Sequence, residues 1–184
     1  MDRFRIGAIA DLHVRKQKRH QEYLEVFDNL YTSLKENNVD LILLLGDVFH
    51  SKADLSPECI DIASNLFKNL SLIAPLKIIL GNHDTIVNSN RLDSITPITD
   101  NLKNYNIEFY KKSGLYKENN IVFGVFAIND EENFPIEIER EDKVENVFFA
   151  PELPVEKIIS SLKDKVYLTF DLDALDPSIM PSTG

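Results

Sequence analysis

The stretch LILLLGDVFH, residues 41–50, decides the fold of this 184-residue chain. Its first five residues are all apolar, which is typical of a strand that is buried on both faces of a parallel sheet. The apolar run ends at Gly46 and Asp47. Open α/β sheets bind their ligands at the carboxyl ends of the strands, so we expect Asp47 to belong to a ligand site.

Two other short apolar runs end in the same kind of polar cluster. Residues 4–10 precede Asp11 and His13, and residues 76–80 precede the sequence GNHD at residues 81–84. Asp11 and His13 are two positions apart, so their side chains point the same way if the extended conformation persists. Carboxylate oxygens and imidazole nitrogens are ligands of divalent metals, so the three strand ends predict a metal site.

Amphipathic helices are predicted between these strands. Residues 21–35 carry apolar side chains at helical spacing, and Ser56-Pro57-Glu58 has the signature of a second helix start, with a serine cap, a proline and an acid. The alternation of strands and helices predicts a βαβαβ unit with a parallel sheet.

The pattern changes after the third cluster. A short helix is predicted at residues 96–103. Residues 107–110, 115–117 and 121–128 then predict strands separated by turn residues, which indicates antiparallel pairing in a second sheet. Together these elements predict an α/β fold, a two-sheet sandwich flanked by helices. The acidic residues 131–143 predict a loop, and residues 147–150 a further strand.

Composition narrows the function classes. The formal net charge of -10 argues against a protein that grips nucleic acid through a broad basic face. Acidity does not exclude a phosphate substrate, because bound divalent ions supply positive charge. The single cysteine, Cys59, indicates a reducing compartment, and neither a signal peptide nor a membrane-spanning run is apparent. We therefore expect a cytoplasmic protein with no membrane partner.

The order Asp-x-His, Gly-Asp and Gly-Asn-His-Asp at successive strand ends resembles the calcineurin-like metallophosphoesterases over residues 1–150. Residues 46–50, together with Leu55-Ser56-Pro57, are most similar to the DNA-repair exonuclease branch, the SbcD-like subunits. The resemblance implies metal-dependent hydrolysis of a phosphodiester substrate such as DNA. It also implies an ATPase partner subunit.

The resemblance implies metal roles for four residues. Asp11 and His13 would hold the first of two divalent ions, Asp47 would bridge both, and Asn82 would bind the second. Manganese is the expected ion for this mixture of oxygen and nitrogen donors.

Catalytic roles are implied for three more residues. His83 would stabilise or protonate the phosphate, Asp84 would orient His83, and His50 would lie near the substrate. A plainer interpretation is that such residues only cap helices and form turns, which Asp and Asn favour.

The family's later histidine motifs are missing, because all four histidines lie within the first 83 residues. Instead, residues 169–177, TFDLDALDP, resemble the manganese-binding signature of the ureohydrolases, the arginase and agmatinase family. That resemblance implies metal-binding roles for Asp171 and Asp173, which by hypothesis replace the missing histidines.

We interpret residues 151–184 as a ureohydrolase-like segment that packs on a truncated metallophosphoesterase domain, after a fusion near Ala150-Pro151. A helix at residues 154–162 and a strand at residues 166–170 are predicted within it. Two alternative functions stay open at this point: amidine hydrolysis of the ureohydrolase kind, and an inactive module that binds metal or a partner protein.

Overall fold

A computed structural model of the chain describes residues 4–16, 19–52, 55–85, 91–119 and 121–130. All of them lie in the first of the two units into which the chain divides, Met1–Ile138. The elements are, in order, β1 (Ile6–Ile9), α1 (His20–Glu36), β2 (Leu41–Leu44), α2 (Pro57–Ser71), β3 (Leu76–Ile78), α3 (Thr96–Asn101), β4 (Ile107–Phe109), β5 (Gly114–Glu118) and β6 (Ile121–Val125).

Strands β1 to β4 form one sheet in the order β1-β2-β3-β4, and every neighbouring pair is parallel. The predicted central strand is confirmed: Leu41, Ile42 and Leu44 of β2 are fully buried. Parallel strands are buried on both faces because crossover helices cover them, which explains why this strand is apolar throughout.

Helices α1 and α2 supply most of the apolar core beside this sheet. Both predicted helices are confirmed, and α2 begins as expected, with Ser56 as the N-cap and a proline in the first turn. The buried side chains of α2 recur at helical spacing and join those of β2 and β3 in one cluster. That cluster includes Phe27, Leu34, Ile42, Leu44, Ile62, Ala63, Leu66, Phe67, Leu70, Leu76 and Ile78.

The second sheet is the antiparallel hairpin of β5 and β6, as the turn residues predicted. The expectation that residues 107–110 belong to this second sheet is wrong. They form β4, which pairs in parallel with β3 in the first sheet. In that register Lys77 lies opposite Glu108, and a cross-strand pair of opposite charges favours the pairing.

Lys77 also connects the two sheets. Its Nζ lies 2.6 Å from Glu108 Oε2 and 2.7 Å from Glu118 Oε2 on β5. Burial lowers the pKa of Lys77, but hydrogen bonds to the two glutamates outweigh it and the net pKa is raised. A mostly apolar cavity of about 310 Å³ adjoins this lysine, between the first sheet and the hairpin.

Within the described residues, no helix combines the length and the apolar character needed to cross a bilayer. Several sequence predictions lie outside the described residues: the strands at 147–150 and 166–170, the helix at 154–162, and the junction between residues 150 and 151.

The N-cap of α2 gives a stability prediction. Ser56 is 5% exposed, and its Oγ accepts a hydrogen bond from the backbone N–H of Cys59. Replacing Ser56 with alanine leaves that buried donor without a partner, so we expect a loss of about 1 kcal/mol in the free energy of unfolding, measured by urea titration.

The matched control is Ser64→Ala in the same helix. The Ser64 hydroxyl donates to the carbonyl of Ile60, within the same helix. Removing this hydroxyl leaves no backbone N–H without a partner, so it should change the free energy of unfolding by less than about 0.5 kcal/mol. Equal losses in the two variants would contradict the capping role.

Candidate metal centre

The loops that follow β1 and β2 run side by side beyond the ends of the strands. The His13 N–H donates to the Asp47 carbonyl at 3.0 Å, and the Val14 N–H donates to the Val48 carbonyl at 2.8 Å. The His50 N–H returns a bond to the Val14 carbonyl at 3.1 Å. Parallel pairing is thereby continued into the loops, and it holds the first polar cluster opposite the second.

Three residues in these loops have left-handed backbone conformations: Asp11 (φ 56°), His13 (φ 47°) and Asp47 (φ 52°). The extended conformation of β1 therefore does not persist through Asp11 and His13, so strand alternation does not set the directions of their side chains. Positive φ is uncommon outside glycine, although Asp and His tolerate it better than most residues, and such strain concentrates at functional sites. The left-handed turns, rather than the alternation of a strand, bring these side chains together.

The loop after β3 also lies close to Asp47. A Cβ atom on Gly46 or on Gly81 would lie within 3.0 Å of the opposite loop, so both positions need glycine for this close approach. The His83 N–H donates to Asp47 Oδ1 at 2.8 Å. One carboxylate oxygen of Asp47 is thus fixed by the backbone of the third cluster.

Asp84 joins the same two loops through hydrogen bonds. Its carboxylate accepts hydrogen bonds from the N–H groups of Val48, Phe49 and Gly81 at 3.3, 3.1 and 3.1 Å. Desolvation raises the pKa of this fully buried group, and the three N–H donors only partly oppose the rise. The carboxylate of Asp84 therefore binds backbone N–H groups, and its implied role in orienting His83 stays a prediction.

The first donor cluster consists of Asp11, His13 and Asp47, each with one ligand atom within 4.8 Å of the others. His13 Nε2 lies 3.8 Å from Asp11 Oδ1, while His13 Nδ1 is buried and has no hydrogen-bond partner among the described residues. Two carboxylates and an imidazole with an unsatisfied nitrogen suit a divalent metal ion, so these residues fit the metal that the sequence predicted.

His13, His50 and His83 form a second cluster, again with one nitrogen each within 4.8 Å of the others. The His83 Nδ1 lies 2.8 Å from the His50 carbonyl, which can only accept, so Nδ1 of His83 carries the proton. Desolvation lowers the pKa of His50, and the nearby Arg15, His13 and His83 lower it further. His50 thus belongs to a group of imidazoles, and its implied contact with the substrate stays a prediction.

Two residues that hold backbone carbonyls of this site were not predicted from the sequence. The Tyr23 hydroxyl of α1 donates to the His13 carbonyl at 2.7 Å, and Lys52 donates to the Asn82 carbonyl at 3.1 Å. Neither residue belongs to a recognisable motif. Each donates to a backbone carbonyl that comes near only in the folded chain, so no sequence pattern marks the contact.

Three other residues were predicted as metal ligands. Asn82 is exposed in the loop after β3, next to His83, and its role as a ligand stays a prediction. Asp171 and Asp173 lie outside the described residues, so their proposed replacement of the missing histidines also stays a prediction.

Comparison with known proteins identifies similar chains. Protein R555 of Acanthamoeba polyphaga mimivirus is 49% identical over 129 residues, which is 67% of this chain and 10% of that protein. A subunit of the nuclease SbcCD from Bacillus subtilis is 33% identical over 105 residues, 52% of this chain and 25% of that protein. The chain thus spans a quarter or less of the length of these two relatives.

A third similarity is much shorter. The N(1)-aminopropylagmatine ureohydrolase of Thermus thermophilus is 53% identical over 32 residues, which is 17% of this chain and 11% of that enzyme. The ureohydrolase resemblance rests on this short stretch alone.

The family profile called calcineurin-like phosphoesterase matches residues 4–175. This match runs past the predicted junction at residues 150 and 151 and includes the positions of Asp171 and Asp173. The parallel sheet with its helices and the metal-ligand cluster at the strand ends agree with it. The chain belongs to the calcineurin-like phosphoesterase family, whose members hydrolyse phosphoesters with the help of divalent metals.

Proposed function

We propose that this chain hydrolyses phosphodiester bonds in DNA as a metal-dependent nuclease. The observation that carries the proposal is the cluster of Asp11, His13 and Asp47 at the ends of β1 and β2. The similarity to a protein named as a nuclease subunit supports a nucleic-acid substrate and a second subunit as a partner, and the choice of DNA follows from the family resemblance. An ATPase partner follows from the family resemblance alone.

Two manganese ions are the cofactors we propose. Asp11 and His13 would hold one ion, Asn82 the other, and Asp47 both. Such ions, when bound, neutralise charge on the phosphate oxygens and lower the pKa of water. Positive charge of this kind is required here, because a chain with a net charge of -10 otherwise repels a polyanionic substrate.

The side chains around this cluster have distinct tasks in the proposal. The backbone N–H of His83 donates to one oxygen of Asp47, and this hydrogen bond restricts rotation of the carboxylate. Because Nδ1 donates to the His50 carbonyl, Nε2 is the free nitrogen of His83. Only in the doubly protonated imidazolium form would Nε2 donate to the phosphate or give a proton to the leaving oxygen.

A second candidate function has one observation in its favour. The 32-residue similarity to a ureohydrolase favours hydrolysis of an amidine or guanidine substrate. Release of urea from agmatine or arginine, assayed on the same protein, distinguishes this activity from phosphodiester hydrolysis.

The first test is hydrolysis of bis(p-nitrophenyl) phosphate and of linear DNA. We expect activity that EDTA abolishes and manganese restores. Asp47→Asn should reduce it at least about 100-fold, since loss of a direct ligand should cost no less than loss of a residue that supports one.

Asp61→Asn is the charge-matched control for this assay. Asp61 is exposed on α2, so its replacement removes one negative charge without touching the cluster. Comparable activity in Asp47→Asn and Asp61→Asn would contradict the proposed function.

A second prediction concerns the close approach of the loops. In Gly81→Ala the new Cβ would collide with the carboxylate and the backbone nitrogen of Asp47. Because neither can move without disturbing the ligand cluster, we expect manganese affinity, measured by calorimetry, to fall at least about tenfold.

Gly7→Ala separates this effect from general instability. Its Cβ would lie 2.6 Å from Leu34 Cδ2, the flexible end of a core side chain. Overpacking there should cost about 1–3 kcal/mol in stability without changing manganese affinity. If both variants lost affinity equally, the local explanation for Gly81 would be wrong.

A further inference from the structure

We propose that His13, His50 and His83 form a site for a single zinc ion, which competes with the catalytic metals for His13. The second donor cluster is made only of imidazoles, whereas the first contains two carboxylates. These different donor types favour different metals. The two clusters share His13, and one imidazole nitrogen cannot bind two ions at once.

The geometry of the three rings suits one small cation. Their ring centroids lie 4.8 Å apart for His13 and His83, 5.7 Å for His13 and His50, and 5.9 Å for His50 and His83. Zinc binds imidazole nitrogen at about 2.0–2.1 Å, which places two nitrogens of a tetrahedral site about 3.4 Å apart. Nitrogens already within 4.8 Å of one another reach that spacing by small side-chain rotations.

Each ring of this cluster has a nitrogen that is available to a cation. Nδ1 of His13 and Nδ1 of His50 are buried and have no hydrogen-bond partner among the described residues. The third ring is fixed, because its Nδ1 donates to the His50 carbonyl and its Nε2 therefore keeps a lone pair. Buried polar atoms are seldom left without partners, so the two orphaned nitrogens need an explanation, and a bound cation supplies one.

Chemistry selects zinc over manganese at this site. A set of neutral imidazoles suits zinc and copper, whereas carboxylate oxygens suit manganese and magnesium, and zinc binds a given nitrogen site more tightly than manganese does. Three histidines with a fourth position open to water are a known zinc arrangement.

Zinc bound here would act as an inhibitor. It would withdraw His13 from the first cluster and occupy His83, which the proposed reaction uses at the phosphate. This inhibitory effect rests on the proposed function, but binding of zinc to the three imidazoles does not.

The test uses two reciprocal variants of the metal-free chain, titrated with zinc and, separately, with manganese by calorimetry. His50→Ala removes a ligand found only in the histidine cluster, and Asp11→Ala removes one found only in the carboxylate cluster. We expect zinc affinity to fall at least about tenfold in His50→Ala and to change less than about threefold in Asp11→Ala, with the opposite pattern for manganese.

A zinc affinity that falls in Asp11→Ala and not in His50→Ala would overturn the proposal, because zinc would then occupy the carboxylate cluster. Equal effects in the two variants would overturn it as well. Hydrolysis of bis(p-nitrophenyl) phosphate with manganese alone is measured separately, so failure of the proposed activity is distinguished from failure of zinc binding.

Imidazole NMR of the unaltered chain keeps the test decisive if a variant fails to fold. The chain has four histidines, and the fourth, His20, binds the Arg15 carbonyl at 2.7 Å, apart from the cluster. One equivalent of zinc should shift the resonances of His13, His50 and His83 and leave those of His20 in place. A shift at His13 without shifts at the other two cluster histidines would refute the site.

Discussion

The buried carboxylate of Asp84 is the interaction on which the metal centre depends. Its hydrogen bonds to Val48, Phe49 and Gly81 join the loop after β2 to the loop after β3. Because burial raises its pKa, the stability that this group contributes is greatest below the pKa it has in the unfolded chain, and it declines as pH rises through the folded value. The three backbone N–H donors offset part of the cost of burying the charged form, and they hold the two loops together.

The left-handed backbone conformations also cost stability, and they too shape the loops of the metal centre. Asp11, His13 and Asp47 leave the extended conformation at the ends of their strands, while hydrogen bonds between the loops hold them in place. Strain of this kind persists only when the surrounding structure imposes it. The donors are therefore arranged by the backbone before any cation arrives, so little ordering remains to oppose binding.

Much of this arrangement was predictable from the sequence, because its signals are local. The apolar run at residues 41–45 indicated a buried strand, and Ser56-Pro57 indicated a helix start. The partner of β4 was not predictable, since pairing of Lys77 with Glu108 joins residues that are distant in the chain. The contact of His83 with the His50 carbonyl was hidden for the same reason, although both histidines were recognised as candidates.

The position of His13 links the two donor clusters and gives the site its chemical character. His13 belongs to both donor clusters, one completed by two carboxylates and the other by two further imidazoles. Affinity for divalent metals rises from manganese to zinc on nitrogen ligands, while carboxylates favour the harder ion. The metal that the site prefers thus depends on whether His13 binds it together with the carboxylates or with the other two imidazoles. The Tyr23 hydroxyl of α1 donates to the His13 carbonyl and so holds the backbone that carries this imidazole.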